Sequence, residues 1–365
     1  MVLVRASLVM KTGDPFTTHD VEIDAPQARE VVVEVRASGL CHSDLLMAQH
    51  DLGYAKPVLL GHEVAGIVAE TGPDVRSVAV GDHVVGCLIQ YCGECAGCAR
   101  GRVLQCEHPW ATLRPRDARP RLTVDGNAVT QGFGLGGFAE RVLVHENQLT
   151  TVPPSVPFAQ AAVLGCGVIT GVGTVLNAAN VQPGDTVVVI GTGGVGLNAI
   201  SGAILAQAGR IIAIDVSDDK LEVARRFGAT DTVNSSVTDP VAAVKQLARR
   251  GADAVFDFVG AGSVPAQGLA MTRTGGGLYL VGILDPDAEL HLRTYALVNS
   301  QKRVQGVAMG ASVPRRDIAK LARLYLDGRL ELDELVSRQI RLDQLDAGWA
   351  MLREPGVARI VVTAF

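Results

Sequence analysis

The chain has 365 residues, 48% apolar and 19% charged, with 33 basic against 38 acidic side chains and a formal net charge of −5. A length above the roughly 250–300 residues at which one core stops growing implies two domains, and without a basic run no nucleic-acid or membrane partner is expected. Arg5 and Lys11 interrupt the first apolar residues before a signal-peptide core can build up, and no apolar stretch is expected to approach the ~20 residues of a membrane span, so a cytoplasmic location follows.

In the first ~150 residues, β-branched runs bounded by Gly, Asp and Pro predict the strands of a β-rich domain. They are "EVVVEVRASG", "EVAGIVAETG", "GDHVVGCL" and "GFAERVLVHEN". Seven cysteines are an odd number for a disulfide framework, and a reducing compartment keeps thiols free, so clustered cysteine reads first as metal ligation. Cys92, Cys95, Cys98 and Cys106 follow the spacing C-x₂-C-x₂-C-x₇-C, which fits a four-thiolate zinc shell. Four thiolates leave no position for a substrate, so this site is structural. The segment after it, "RPRDARPRLTVDGNAVTQ", reads as a long loop.

Three scattered residues make a second candidate set: Cys41 in "GLCHSD", His62 in "LLGHEVAG" and Cys166 in "VLGCGVITG". Each sits in what reads as a glycine-bounded turn of apolar sequence. Two thiolates and an imidazole could converge on Zn²⁺ with its fourth position open, the mark of a catalytic zinc. Taken singly, Cys41 or Cys166 reads better as a buried structural cysteine than as a ligand.

From about Gly171, strand and helix alternate. "DTVVVIG", "RIIAIDV", "GATDTVN", "ADAVFDFVG", "GGGLYLVGI" and "RVQGVAMG" are candidate strands of an α/β, doubly wound parallel sheet of the Rossmann type. "VVVIGTGGVG" places Gly191, Gly193 and Gly196 in the G-x-G-x-x-G turn, with Gly194 and Val195 opening the helix that would receive a pyrophosphate at its N-terminus. Asp215, 24 positions after Gly191, stands where a carboxylate would bind the adenosine ribose and repel a 2′-phosphate, favouring NAD over NADP. Lys220 is near enough to assist the ribose, or is a solvated helix lysine. Ser217 is the expected N-cap of "DDKLEVARR". The tail returns to amphipathic helices in "RRDIAKLARLYLDG" and "LDAGWAMLRE", then a closing strand, "ARIVVTAF".

Together "GLCHSD", "GHEVAGIV", the four-cysteine lobe, "LGCGVITG", "GTGGVG" with Asp215, and "ARIVV" resemble, nearly end to end, the zinc-dependent medium-chain alcohol dehydrogenases. The nearest likeness is to the long-chain branch with a structural-zinc lobe, including its actinobacterial members. That resemblance implies a GroES-like catalytic domain over residues 1–167 and 309–365 and a Rossmann NAD-binding domain over 168–308. It implies two Zn²⁺ per subunit, the catalytic one on Cys41, His62 and Cys166, with Glu63 behind it as an occasional ligand and Asp44 orienting the imidazole of His62. Ser43 would receive the hydroxyl proton, unless it only caps the helix after Cys41. Leu46 stands where many members carry a relaying histidine, and His50 lies one helical turn further on.

His42 and Arg359 would meet the cofactor pyrophosphate, and Thr170 the nicotinamide. Ile283 would serve both cofactor and substrate, lining an apolar pocket with Leu88 and Phe133 that suits a primary or aromatic, or secondary, alcohol. The implied reaction is reversible hydride transfer between alcohol and NAD. The alternatives are a thiol-dependent formaldehyde dehydrogenase and a non-catalytic nucleotide-binding protein. A homodimer, or else a homotetramer, would form with "GGGLYLVGI" as the edge strand.

Overall fold

The computed structural model describes every residue except 1, 116, 286, 288 and 355. The chain divides into two compact units, Met1–Cys166 with Val313–Phe365, and Gly167–Ser312.

The first unit is built on two sheets, one of six strands and one of seven. Its pivot is the strand Glu30–Gly39, which pairs antiparallel with Glu63–Thr71, Arg141–His145 and the C-terminal Arg359–Ala364. All four were legible as β-branched runs. Val31, Val33 and Val35 alternate with Val32 and share out two buried clusters on opposite faces of the sheet. The antiparallel pair Val2–Val9 and Thr17–Ile23 was not anticipated. Exposed polar residues, Arg5 in the first strand and Thr17, Thr18, Asp20 and Glu22 in the second, break up the apolar pattern by which a strand is recognised.

Two expectations for this unit need correction. The segment after the cysteine lobe is no mere loop: Leu122–Val124 and Asn127–Ala128 form a hairpin, and Thr130–Gln131 pairs with Val58–Leu59. The hairpin turns at Asp125 and Gly126, both with positive φ (50° and 77°), as an Asp-Gly turn between strands requires. The second correction concerns Cys166, which lies in no turn. It sits in a π-helical stretch, Leu164–Val168, inside the helical run Phe158–Ala179. Its neighbour Gly165 marks close packing, since a Cβ there would stand 2.1 Å from the Gly86 carbonyl oxygen. This run of 22 residues, with a mean hydropathy of 1.7, is also long and apolar enough to cross a membrane, contrary to expectation. With 89% of that window buried inside the protein, it is a core helix.

The second unit carries a parallel six-stranded sheet in the order Asp231–Asn234, Arg210–Asp215, Thr186–Ile190, Ala252–Asp257, Thr272–Leu280, Arg303–Gly306. This is the doubly wound order, and it reverses direction beside Thr186–Ile190, where such sheets bind nucleotides. "GGGLYLVGI" is not the edge strand. Thr272–Leu280 is paired on both sides, and the edge is Arg303–Gly306. Burial patterns give the reason: the inner strand ends in a run of buried residues, whereas Arg303–Gly306 has none.

Candidate active site and metal centres

Cys41 is the N-cap of the helix His42–Gln49, His62 immediately precedes the strand Glu63–Thr71, and Cys166 projects from the π-helical stretch. The fold brings all three together, buried, with their donor atoms within 4.8 Å of one another. His62 Nε2 lies 3.3 Å from Cys166 Sγ, while Nδ1 lies 2.9 Å from Asp44 Oδ1. The same Asp44 oxygen accepts the Gly61 N–H at 3.0 Å, so a wholly buried carboxylate fixes both the ring and the turn that carries it. With its Nδ1 hydrogen donated to Asp44, the imidazole turns Nε2 toward the two sulfurs.

The donor set shares its protons. A hydrogen bond from Cys166 holds the Cys41 thiol well below its ordinary value, against burial, and the same bond together with burial pushes Cys166 well above it. Burial opposes a charged His62, but Asp44 and Cys41 outweigh it and raise the imidazole well above its usual range. Behind the set, burial pushes the Glu63 carboxyl up to about 7 against the pull of Arg359. Arg359 Nη2 stands 3.1 Å from Glu63 Oε1, and a Cβ on Gly39, across the strand pair, would lie 2.2 Å from Glu63 Oε2. Two thiols and an oriented imidazole, all buried, fit Zn²⁺ with a fourth position open. A metal entering must displace the shared protons, so its affinity falls in acid.

Ser43 makes no cap. The cap is Cys41 and involves no side-chain hydrogen bond, which leaves the Ser43 hydroxyl 3.8 Å from Cys41 Sγ. Leu46 is half-buried, and His50 is exposed at the end of that helix. Phe133 stands edge-on to His62, ring centroids 5.0 Å apart at 68°, and Tyr54 meets Phe133 at 6.1 Å. Leu88 is half-buried against the core of the seven-stranded sheet. Ile283, in the other unit, is 65% exposed.

The four-cysteine lobe satisfies a sharper test. Four sulfurs each ~2.3 Å from one ion would stand about 3.8 Å apart. The observed separations are 3.9 Å for Cys92–Cys98, 3.9 Å for Cys95–Cys106 and 3.5 Å for Cys92–Cys106. Backbone N–H groups of Glu94 and Cys95 point at Cys92 Sγ, that of Glu107 at Cys95 Sγ, and those of Cys92 and His108 at Cys106 Sγ. Such donors stabilise thiolates: the N–H groups of Glu107 and Cys98 bring Cys95 down to about 6. The remaining cysteine, Cys87, is fully buried, its thiol pushed up to about 12 by that burial.

In the second unit, Gly193 caps the helix Gly194–Leu205. A Cβ on Gly196 would sit 1.9 Å from the Gly191 oxygen, and one on Gly191 (φ 87°) would press on Val259, whereas above Gly193 the space is open. These are the three conditions that a pyrophosphate-binding turn imposes. Val195 follows Gly194 in the first turn of that helix. The Asp215 carboxylate accepts from Thr192 N and Oγ1 at 2.9 and 3.1 Å and from Val216 N and Ser217 N at 2.8 and 3.2 Å. Ser217 caps the next helix, accepting the backbone N–H of Lys220, whose own side chain is exposed. Thr170 is buried with its hydroxyl on Met309 Sδ, and His42 is exposed in the first turn of its helix.

Sequence reasoning missed a buried ionic cluster in the first unit. Glu30 is gripped by Arg114 through two bonds of 2.8 and 2.6 Å and by Arg121 at 2.7 Å, and Arg114 also reaches Asp24 at 2.7 Å. The only signal was "RPRDARPR", dense in arginine and read as part of a long loop.

A doubly wound nucleotide sheet, a separate β-rich unit and two thiol-rich donor sets define a metal-dependent dehydrogenase. Residues 27–154 match the family described as "Alcohol dehydrogenase GroES-like domain", and residues 194–327 the one described as "Zinc-binding dehydrogenase". The chain is 36% identical over 355 residues to "Putative alcohol dehydrogenase D" of Mycobacterium tuberculosis, covering 96% of each. It is 33% identical over 371 residues to the S-(hydroxymethyl)glutathione dehydrogenase of Paracoccus denitrificans, covering 98% of this chain and 99% of that one. The crystal structure of benzyl alcohol dehydrogenase from Acinetobacter calcoaceticus matches with a TM-score of 0.94 at 30% identity over 100% of both chains. The protein belongs to the zinc-containing medium-chain alcohol dehydrogenase family.

Proposed function

We propose that this dehydrogenase transfers hydride reversibly between a primary or aromatic alcohol and NAD. The observation that carries the reading is the buried Cys41, His62, Cys166 donor set, three protein ligands and thus one short of a tetrahedral shell. Zinc bound there supplies Lewis acidity, which lowers the pKa of a hydroxyl at the open position. Asp44 holds the His62 ring in register, and Ser43, free of any capping role, receives the hydroxyl proton. Leu46, an apolar side chain, cannot relay that proton onward. Phe133 beside His62 presents an apolar face to the substrate, which disfavours charged alcohols. Gly191, Gly193 and Gly196 would cradle the dinucleotide, whose nicotinamide would supply the hydride acceptor, and Asp215 would offer its carboxylate to the ribose hydroxyls. Of the two pyrophosphate candidates, Arg359 is engaged with Glu63 whereas His42 is exposed.

The S-(hydroxymethyl)glutathione dehydrogenase relative favours a second reading, oxidation of a formaldehyde–thiol adduct. An assay of NAD reduction over benzyl alcohol, short aliphatic alcohols and S-hydroxymethylglutathione separates the two, with zinc counted per chain. Turnover of benzyl alcohol at two zinc per chain supports the first; turnover of the adduct alone replaces it. We further propose a homodimer joined along the edge Arg303–Gly306, beside which Tyr295 and Val298 lie exposed in the preceding helix. A monomer by light scattering would refute this.

A further inference from the structure

We propose that Gln148 is a positioning residue which sets a preference for ring-bearing alcohols by locking Phe133 against His62. The proposal rests on the dehydrogenase reading above. Phe133 has φ 54° and ψ 19°, a left-handed conformation that a bulky side chain adopts only where its surroundings over-determine it. Gln148 supplies that constraint. Its wholly buried side chain donates both Nε2 hydrogens to carbonyls, to Phe133 at 3.0 Å and to Cys87 at 3.2 Å. Its own carbonyl is bolted to the same strand end by the Cys87 N–H at 2.8 Å. On the other side of the turn, Gln131 Nε2 holds the carbonyls of Leu135 at 2.8 Å and Leu143 at 3.1 Å.

Gln148 Oε1, also buried, has no hydrogen-bond partner among the described residues. A buried acceptor without a partner costs stability, so this side chain is spent on holding two carbonyls rather than on tightening the fold. The element it holds is the one that carries a ring to the metal ligand: Phe133 lies 5.0 Å from His62, edge to face, with Tyr54 behind it at 6.1 Å. A planar substrate ring gains directional packing from such a fixed wall, whereas an alkyl chain gains area alone.

The test is the ratio of kcat/KM for benzyl alcohol to that for 1-butanol. Gln148→Met keeps the length of the side chain and removes both donors. The expected result is a benzyl alcohol KM raised about tenfold with butanol moved less, so that the ratio falls. In a Phe133→Ala background the ratio is already low, and adding Gln148→Met should lower it no further. If Gln148→Met does not yield folded, zinc-loaded protein, Gln148→Leu, smaller and likewise without donors, is read by the same ratio. An equal loss for both alcohols marks a purely structural role and overturns the proposal, as does an unchanged ratio in a series where Phe133→Ala lowers it. Wild-type protein that oxidises neither alcohol overturns the dehydrogenase reading itself.

Discussion

Asp44 is a single buried carboxylate with two duties, the His62 ring and the Gly61 amide. Asp44→Asn offers an amide where both neighbours donate, leaving the imidazole less basic and less firmly aimed. We expect metal affinity at that site to fall about 10–100-fold. Competition with a chelator should then strip one zinc per chain while the lobe keeps the other. Asp215→Gly tests the cofactor: removing the carboxylate proposed to bind the ribose would forfeit hydrogen bonds to a charged group, so the kcat/KM preference for NAD over NADP should drop roughly 10–100-fold. At this scale the chemistry was legible where a residue type is rare, as with Cys41, His62, Cys166 and the four clustered cysteines. It was opaque where the partner is a backbone carbonyl. Nothing in "HENQL" says that Gln148 reaches across to Phe133, because that bond exists only once two short 3-10 turns, Gly132–Gly134 and Glu146–Gln148, have come side by side.

Among the elements, the cysteine lobe has almost no core, and of its residues only Tyr91 and Val103 are buried. Its ligands therefore carry its stability. Cys95→Ala should release one zinc and lower the thermal midpoint by about 5 °C or more. Turnover per folded, catalytically zinc-loaded molecule should persist, and calorimetry beside zinc analysis reads both quantities. Glu30→Ala leaves Arg114 and Arg121 facing one another with their shared acid gone. Breaking a buried pair in this way costs about 3–5 kcal/mol, measurable by urea titration. The strands of the nucleotide sheet were readable because burial on both faces makes them near-continuous apolar runs, as in "DTVVVIG". The helix at Cys166 was not, because "LGCG" looks like a turn until the Gly86 backbone is seen pressed against Gly165.

Over the whole molecule, His145 and Glu146 predict two steps of acid loss. His145 accepts the Asn147 N–H through Nδ1 and is pushed down to about 4 by burial, then by Arg29 and Arg121. Its folded value lies below the usual 6.5, so the stability it contributes is complete above pH 6.5 and drains as pH falls toward 4. That loss amounts to roughly 3 kcal/mol at most. Burial works against the Glu146 carboxylate, but bonds from Ser77 and Arg29 outweigh it and bring it down to about 2. Its share is present above 4.5 and vanishes on the way to pH 2. Denaturation series at pH 7, 5.5 and 4.5 should show the first step, and His145→Gln, which cannot take up the proton, should flatten it. A variant as acid-sensitive as the wild type would rule His145 out.

The strand Arg359–Ala364 closes against Glu30–Gly39, and Arg359 pairs with Glu63, although more than 300 residues of chain separate the two strands. On a ribosome this sets an order of events. The contiguous unit Gly167–Ser312 is complete and able to fold while the first unit, with every cysteine already synthesised, still lacks the strand that seals its sheet. Until that strand emerges, the nascent chain presents an open sheet edge while the cysteines of both metal sites, none of them in a disulfide, await their metals, and it is in that interval that a chaperone or a zinc donor would matter most.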